Sequence, residues 1–226
     1  MEKMQMKAIA GNILPYPEAV IFDWDNTLVS NWLAIYNAYN LTAESMGLPD
    51  QKITLADEHV MGAALKDQFP IRFGERWPEA REQFYAYFER THIDSLKPFE
   101  GSFLFLKSLA EKQIPLFIVS NKTGKYLRAE CEHLGWAPLF SAIIGAGDAP
   151  EDKPHAAPVY MALSQLGLMA SDKIWFIGDM EVDVICAKNA GVTSVLVRDK
   201  PYDGKEKPHF MAESIQEIEK YFHISF

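Results

Sequence analysis

The stretch VIFDWDNTLV, Val20 to Val29, sets an apolar run against two carboxylates. With Ala19 in front, the run AVIF is too short for a buried helix and has the composition of a buried strand. Side chains alternate along an extended backbone, so Asp23 and Asp25 project to the same side if the strand continues. Two like charges crowded at the end of a strand repel, and the pattern therefore demands a counter-charge.

Four further runs have the same character: PLFIVS from Pro115, SAIIGA from Ser141, KIWFIG from Lys173 and SVLV from Ser194. Between these four lie the helical patterns GKYLRAECEHLG, PVYMALSQLG and VDVICAKNAG, which end at Gly135, Gly167 and Gly191, where C-terminal caps are expected. Strands alternating with helices predict an α/β fold around a parallel sheet. The region from about Asn31 to Phe99 breaks the rhythm with helical periodicity and no comparable strand, and reads as a helical insert. There Trp32, Ile35, Tyr36 and Tyr39 space as one helix face and Phe84, Tyr87 and Phe88 as another, both expected to pack a core. The tail RDKPYDGKEKPHF is polar and broken by proline, and reads as a surface excursion before a last helix near Glu213 to Tyr221.

A chain of 226 residues can bury a full core and still carry a smaller lobe. Its net charge of -9 disfavours nucleic acid and anionic membrane as partners, because both reward clustered Lys and Arg. The N-terminal MEKMQMKAIAGNIL is interrupted by Glu2, Gln5 and Asn12, and no apolar run reaches the roughly 18 residues of a membrane span. A cytoplasmic protein is expected. Cys131 and Cys186 stand apart, without metal-ligand spacing, and read as buried reduced thiols.

Ligands of open α/β sheets bind outside the carboxyl ends of the strands. Here the first strand ends in Asp23 and Asp25, the second in Ser120, Asn121 and Lys122, and the fourth in Gly178, Asp179 and then Asp183, while Lys153 lies between the third and fourth. Any one of these positions reads as a helix cap or a solvated loop end. Four arriving together at one sheet edge read as a site. Converging carboxylates call for a cation, and few carboxylates with water make the shell that magnesium prefers. Lys153, the Ser120 hydroxyl and nearby backbone N–H groups are then free to hold an anion, most simply a phosphate. An Asp carboxylate needs no deprotonation to attack phosphorus.

The motifs FDWDNT, IVSN, DKP and GDMEVD occur in that order from Val20 to about Val197. On them the sequence resembles the haloacid dehalogenase-like (HAD) superfamily, in its phosphatase branch. The resemblance implies a Rossmann-like parallel core over residues 1–30 and 99–226. It also implies a helical cap over 31–98, inserted after the first strand as in phosphoglycolate phosphatase-like members, with hinges near Val29 to Asn31 and Pro98 to Gly101. It makes Asp23 the nucleophile, and Asp25 the acid that protonates the leaving oxygen and then the base that activates water. Ser120, Asn121 and Lys153 become the phosphate-binding residues. Magnesium falls to Asp23, Asp179 and the backbone carbonyl of Asp25, with Asp183 supporting from behind. The expected activity is magnesium-dependent hydrolysis of a small phosphorylated metabolite through an aspartyl-phosphate. A phosphomutase of the same fold is the alternative, and a non-catalytic binding protein the remote one. Dehalogenation is disfavoured, because it needs neither a metal nor an acid two residues past the nucleophile. The sequence departs from the family pattern at Trp24 and Asn26, where Leu and Gly are more usual, at Met180 for Thr or Ser, and at Ala156 for Pro. Lys52, Lys66, Arg72, Arg76, Arg81, Arg90 and Lys97 of the insert read as solvated helix faces, and His59 and His92 are open between packing and binding. Neither the phosphoester nor the oligomeric state is legible.

Overall fold

The structure is a computed structural model in which residues 16–57 and 65–224 are described. The N-terminal stretch and His59 lie outside the described residues, as does the side chain of Lys66. The chain divides into two compact units, one of Met1–Val29 with Pro98–Phe226 and one of Ser30–Lys97.

The first unit is built on a parallel sheet. Its strands are β1 (Ala19–Phe22), β4 (Leu116–Thr123), β5 (Ala142–Ala146), β6 (Ile174–Gly178), β7 (Thr193–Val197) and β8 (Phe210–Ala212), in the order β5-β4-β1-β6-β7-β8. The α/β parallel-sheet expectation is met, and the reason is local: the runs are apolar at consecutive positions because both faces are covered. Ala19 and Ile21 join Phe117, Val119, Ile174 and Phe176 on one face, against α6 (Ala157–Ser164) and α7 (Glu181–Ala190). On the other, Phe22 meets Phe105 of α4 (Ser102–Glu111) edge-on, 6.0 Å between ring centres. Helix α5 (Gly124–His133) packs on β4 and β5, and α8 (Ile215–Ile224) closes the unit. Gly191 ends α7 in the left-handed region at φ 74°, the cap expected from its place in the sequence.

Strand β1 is central, and from it the chain winds first to β4 and β5, then returns to β6 on the opposite side. The connections leaving β1 and β6 run in opposite directions, so the crevice at their carboxyl ends is the topological switch point. Phe22 pairs with Ile118 on one side and with Ile177 on the other. The polar strand ends lie one or two residues past these three positions, at Asp23, Ser120 and Asp179.

Two elements of this unit escaped the sequence pattern. In α4, Phe105, Leu106 and Leu109 are buried while Phe103 and Leu104 are exposed, so apolar residues lie all around the helix and blur its period. The tail predicted as a surface excursion ends instead in β8, where Phe210 and Ala212 are buried. Three residues are too few for alternation to register.

The second unit holds α1 (Trp32–Ser45), α2 (Leu65–Phe73) and α3 (Trp77–Thr91). Its core is aromatic, with Phe69 meeting Phe84 at 5.5 Å and Tyr39 meeting Phe73 at 5.5 Å. Trp32 and Tyr39 are buried, whereas Ile35, Tyr36 and Tyr87 are only half-buried; the buried face of α1 runs through Ala34, Ala38 and Ala43 instead. His92 is buried and stacked on Phe88 at 5.0 Å, a packing residue. The chain leaves the first unit through β2 (Val29–Ser30) and returns through β3 (Lys97–Pro98), which pair as a short ribbon. Among the described residues no helix is long and apolar enough to cross a membrane. Cys131 and Cys186 are buried and free.

Candidate active site

Asp23 follows β1 directly, and its N–H donates to the carbonyl of Ile177 at 2.8 Å, which extends the sheet by one bond past the strand. Beyond it the backbone turns tightly. The carbonyl of Trp24 accepts the N–H groups of Thr27, Leu28 and Val29 at 3.3, 3.0 and 3.2 Å. The turn places Asn26 at φ 59°, a left-handed conformation that Gly adopts freely and Asn tolerates best among the others. Asn26 therefore meets the backbone demand that a Gly would meet at this turn.

The carboxylates of Asp23, Asp179 and Asp183 come together with one oxygen of each within 4.8 Å of the others. Asp179 follows β6 as Asp23 follows β1, so the two face each other across the switch point. Asp183 arrives from the first turn of α7, where its Oδ2 accepts the N–H of Met180 at 3.0 Å. Gly178 makes room for it: a Cβ there would lie 2.4 Å from the Asp183 carboxyl carbon. Thr27 Oγ1 stands 3.5 Å from Asp179 Oδ1.

Lys153 supplies the counter-charge that the opening stretch demands. Its Nζ donates to Asp23 Oδ1 and to Asp183 Oδ1, each at 2.7 Å, with the ammonium buried. Burial opposes its charge, but Asp183 and Asp23 more than offset that and hold the lysine protonated well above its ordinary range. Burial also pushes Asp183 up to about 6, against the pull of Lys153 and with added repulsion from Asp23. Asp179 is raised in the same direction by burial and by its two carboxylate neighbours. Three carboxyl groups share one ammonium, an all-oxygen donor set with negative charge left over. That set fits a small divalent cation such as magnesium.

Ser120 and Asn121 lie inside β4, past its pairing with β1. Ser120 is buried, and its Oγ accepts the N–H of Lys122 at 3.3 Å. Asn121, expected at the phosphate, turns its carboxamide to the backbone of Lys153: Oδ1 accepts Lys153 N–H and Nδ2 donates to Lys153 O, both at 3.0 Å. In this structure it fixes the loop that carries the lysine.

Asp25 stands apart from the acidic cluster. Its Oδ1 accepts from Lys122 Nζ at 3.0 Å, and Lys122 also meets Glu130 Oε1 at 2.8 Å. Burial pushes Asp25 up to about 6; Lys122 opposes that rise, and Glu130 and Asp23 add to it. Glu130 is inconspicuous in the sequence, because a glutamate in a helix of mixed polarity reads as solvated. A signal was available. Leu127 and Cys131 mark the buried face of α5, and Glu130, three residues after Leu127, falls on that same face and is fully buried.

The haloacid dehalogenase-like hydrolase family profile matches residues 20–197. The phosphoglycolate phosphatase of Pectobacterium atrosepticum is 39% identical over 187 residues, which cover 77% of this chain and 77% of that protein. Among solved structures, a HAD-superfamily hydrolase from Ehrlichia chaffeensis matches with a TM-score of 0.64 at 27% identity, over 92% of this chain and 97% of that one. A haloacid dehalogenase-like family hydrolase from Streptococcus pneumoniae matches in fold with a TM-score of 0.77 at 24% identity, over 90% of this chain and 97% of that one. A parallel sheet with its acidic residues at the switch point, the four motifs, and a profile match over most of the chain agree: the chain belongs to the haloacid dehalogenase-like hydrolase family.

Proposed function

We propose that the chain is a magnesium-dependent phosphatase that hydrolyses a small phosphorylated metabolite through an aspartyl-phosphate on Asp23. The observation that carries this reading is the contrast between Asp23 and Asp25. Two residues apart, they are held by different lysines: Asp23 by Lys153 at 2.7 Å, beside Asp179 and Asp183, and Asp25 by Lys122 at 3.0 Å. Carboxyl groups set in separate environments are how acid and nucleophile are divided at one pH.

In the first half-reaction an Asp23 carboxylate oxygen bonds to phosphorus, the bond from phosphorus to the leaving oxygen breaks, and Asp25 gives that oxygen its proton. In the second, water oxygen bonds to phosphorus, the Asp23–phosphorus bond breaks, and Asp25 takes the water's proton. Lys153 and the Ser120 hydroxyl hold the phosphoryl oxygens. Asn121 keeps Lys153 in place. Magnesium would be held by Asp23, Asp179 and the Asp25 carbonyl with Asp183 in support, and when bound it supplies positive charge against the phosphate. Residues 31–98 take the part of a cap that excludes water during the reaction. The curated relatives named phosphoglycolate phosphatase make a small carboxylated phosphomonoester the first substrate to try.

The test is phosphate release by the purified chain from a panel of phosphomonoesters that includes 2-phosphoglycolate and p-nitrophenyl phosphate. Release that requires magnesium and is abolished by Asp23→Asn, with the fold intact by circular dichroism, is expected. Full turnover in excess chelator, or by the Asn variant, overturns the reading.

A further inference from the structure

Between the two aspartates of the opening stretch, Trp24 is fully buried, with its ring edge-to-face on Trp136 at 5.8 Å. Its Nε1 donates to Glu130 Oε2 at 2.7 Å. The other oxygen of Glu130 meets Lys122 Nζ at 2.8 Å, and the same ammonium reaches Asp25 Oδ1 at 3.0 Å and Oδ2 at 3.4 Å. Asp25 is joined by its own peptide bond to Trp24. The contacts therefore close a ring that runs from the Trp24 indole through Glu130 and Lys122 to Asp25 and back along the chain.

A ring of this kind has a use. A fully buried glutamate is expensive unless paired, and the positions around it on α5, Leu127 and Cys131, hold apolar residues. An apolar side chain at 130 would serve the packing as well. What it could not do is fix the lysine. A lysine side chain is long and flexible, and its ammonium donates in any direction. One Glu130 oxygen is engaged by the indole and the other by the ammonium, so Glu130 anchors the Lys122 head beside Asp25.

We propose that Glu130 and Trp24 are positioning residues, which pin Lys122 against Asp25 and so hold the Asp25 carboxyl in the direction needed for proton exchange with the leaving group. This rests on the phosphatase reading for its kinetic consequence and on the ring alone for its structural one. Neither residue belongs to the four motifs' reacting groups. Trp24, where the family more often has Leu, supplies the indole N–H that Leu lacks.

Two variants test it, Glu130→Gln, which removes the charge facing Lys122, and Trp24→Phe, which removes the N–H donor together with part of the ring that packs on Trp136. With magnesium, Glu130→Gln should lower kcat on an alkyl phosphate about tenfold or more, a share of the ~10²–10⁴ that general acid catalysis supplies, with KM within about threefold. On p-nitrophenyl phosphate, whose leaving group needs little protonation, the release of nitrophenolate in the first turnover should fall less than about threefold. Trp24→Phe should act in the same direction and more weakly. Equal slowing of both substrates, or a change confined to KM, overturns the proposal. A second arm needs no activity. In a crystal structure of metal-free Glu130→Gln, Lys122 Nζ should have moved beyond about 4 Å from the Asp25 carboxylate, the limit of an ion pair; an unchanged contact overturns the proposal. If the wild type releases phosphate from no monoester, the phosphatase reading fails and the crystallographic arm decides the positioning claim by itself. Should Glu130→Gln not fold by circular dichroism, Trp24→Phe carries both arms.

Discussion

Two buried lysines at the same sheet edge each bridge two carboxylates, yet they make different environments. Lys153 joins Asp23 and Asp183, both almost sealed from solvent, and a third carboxylate, Asp179, completes the group. Lys122 joins Asp25 and Glu130, and a neutral donor, Trp24, completes that one. One ammonium against three carboxyl groups leaves negative charge that protons on the raised carboxyl groups or an added cation would offset. In the second group one ammonium faces two carboxyl groups, and 30% of the Asp25 side chain still reaches solvent. Pairing alone does not define a role. What counts is the charge left after pairing, and which oxygen remains within reach of a ligand.

The largest effect should come from breaking the first group at its centre. Lys153→Met strands Asp23 and Asp183 without their shared partner, and removal of one member of a buried ion pair costs about 3–5 kcal/mol. Denaturant unfolding of the metal-free variant should show a loss of that order. Phosphate release should fall by at least about 10³-fold, because the proposed phosphoryl clamp goes with the lysine. A variant as stable as wild type would show that the two 2.7 Å contacts are not the source of the group's cohesion.

A smaller effect follows from protons. Asp183 is raised to about 6 and Asp179 is raised in the same direction, so between the ordinary carboxylate range and about pH 6 the folded chain binds more protons than the unfolded one. Stability from these groups is present below about pH 4 and is lost as pH rises through about 6. Magnesium competes with those protons and should stabilise the fold more at high pH. Excess magnesium should therefore raise Tm more at pH 7.5 than at pH 5, by about 2–4 °C for each kcal/mol of added binding. An equal shift at both values would separate the metal from the acidic group.

The smallest effect belongs to the turn that joins the two groups. Asn26 already tolerates its left-handed φ of 59°, so Asn26→Gly should change stability by less than about 1 kcal/mol and leave kcat within about twofold. A large loss would mean that the Asn26 side chain, rather than its backbone, serves the site.

The same contrast explains what the sequence disclosed. Asp23, Asp25 and Asp179 stand out in the sequence because polar residues that follow apolar strands are conspicuous, and Lys153, in a loop, stands out through the DKP motif; the parallel topology gathers the strand ends at one edge. Short continuous apolar runs marked β1, β4, β5, β6 and β7 directly. Helix α4 was hidden by the exposed Phe103 and Leu104, and β8 by its three-residue length. The partner of Lys122 was hidden for another reason. Glu130 lies in the body of a helix, and only the packing of α5 on β4 turns it toward the lysine. Spacing of two along a strand is visible in a sequence; a contact across 106 residues, such as that of Trp24 with Glu130, is not.

If the two lysines divide the two aspartates between nucleophile and proton carrier, rapid mixing of Asp25→Asn with p-nitrophenyl phosphate and magnesium should separate the two half-reactions. The first half-reaction hardly needs an acid with that leaving group, while the second still needs a base. Nitrophenolate should appear in a burst approaching about one per active site, followed by slow turnover, as phosphoenzyme accumulates. Acid quench and peptide mapping should find the phosphoryl group on the peptide that carries Asp23. No burst, no phosphoryl group on Asp23, and equal slowing of aryl and alkyl phosphates would contradict the division and leave Asp25 as a support for the loop.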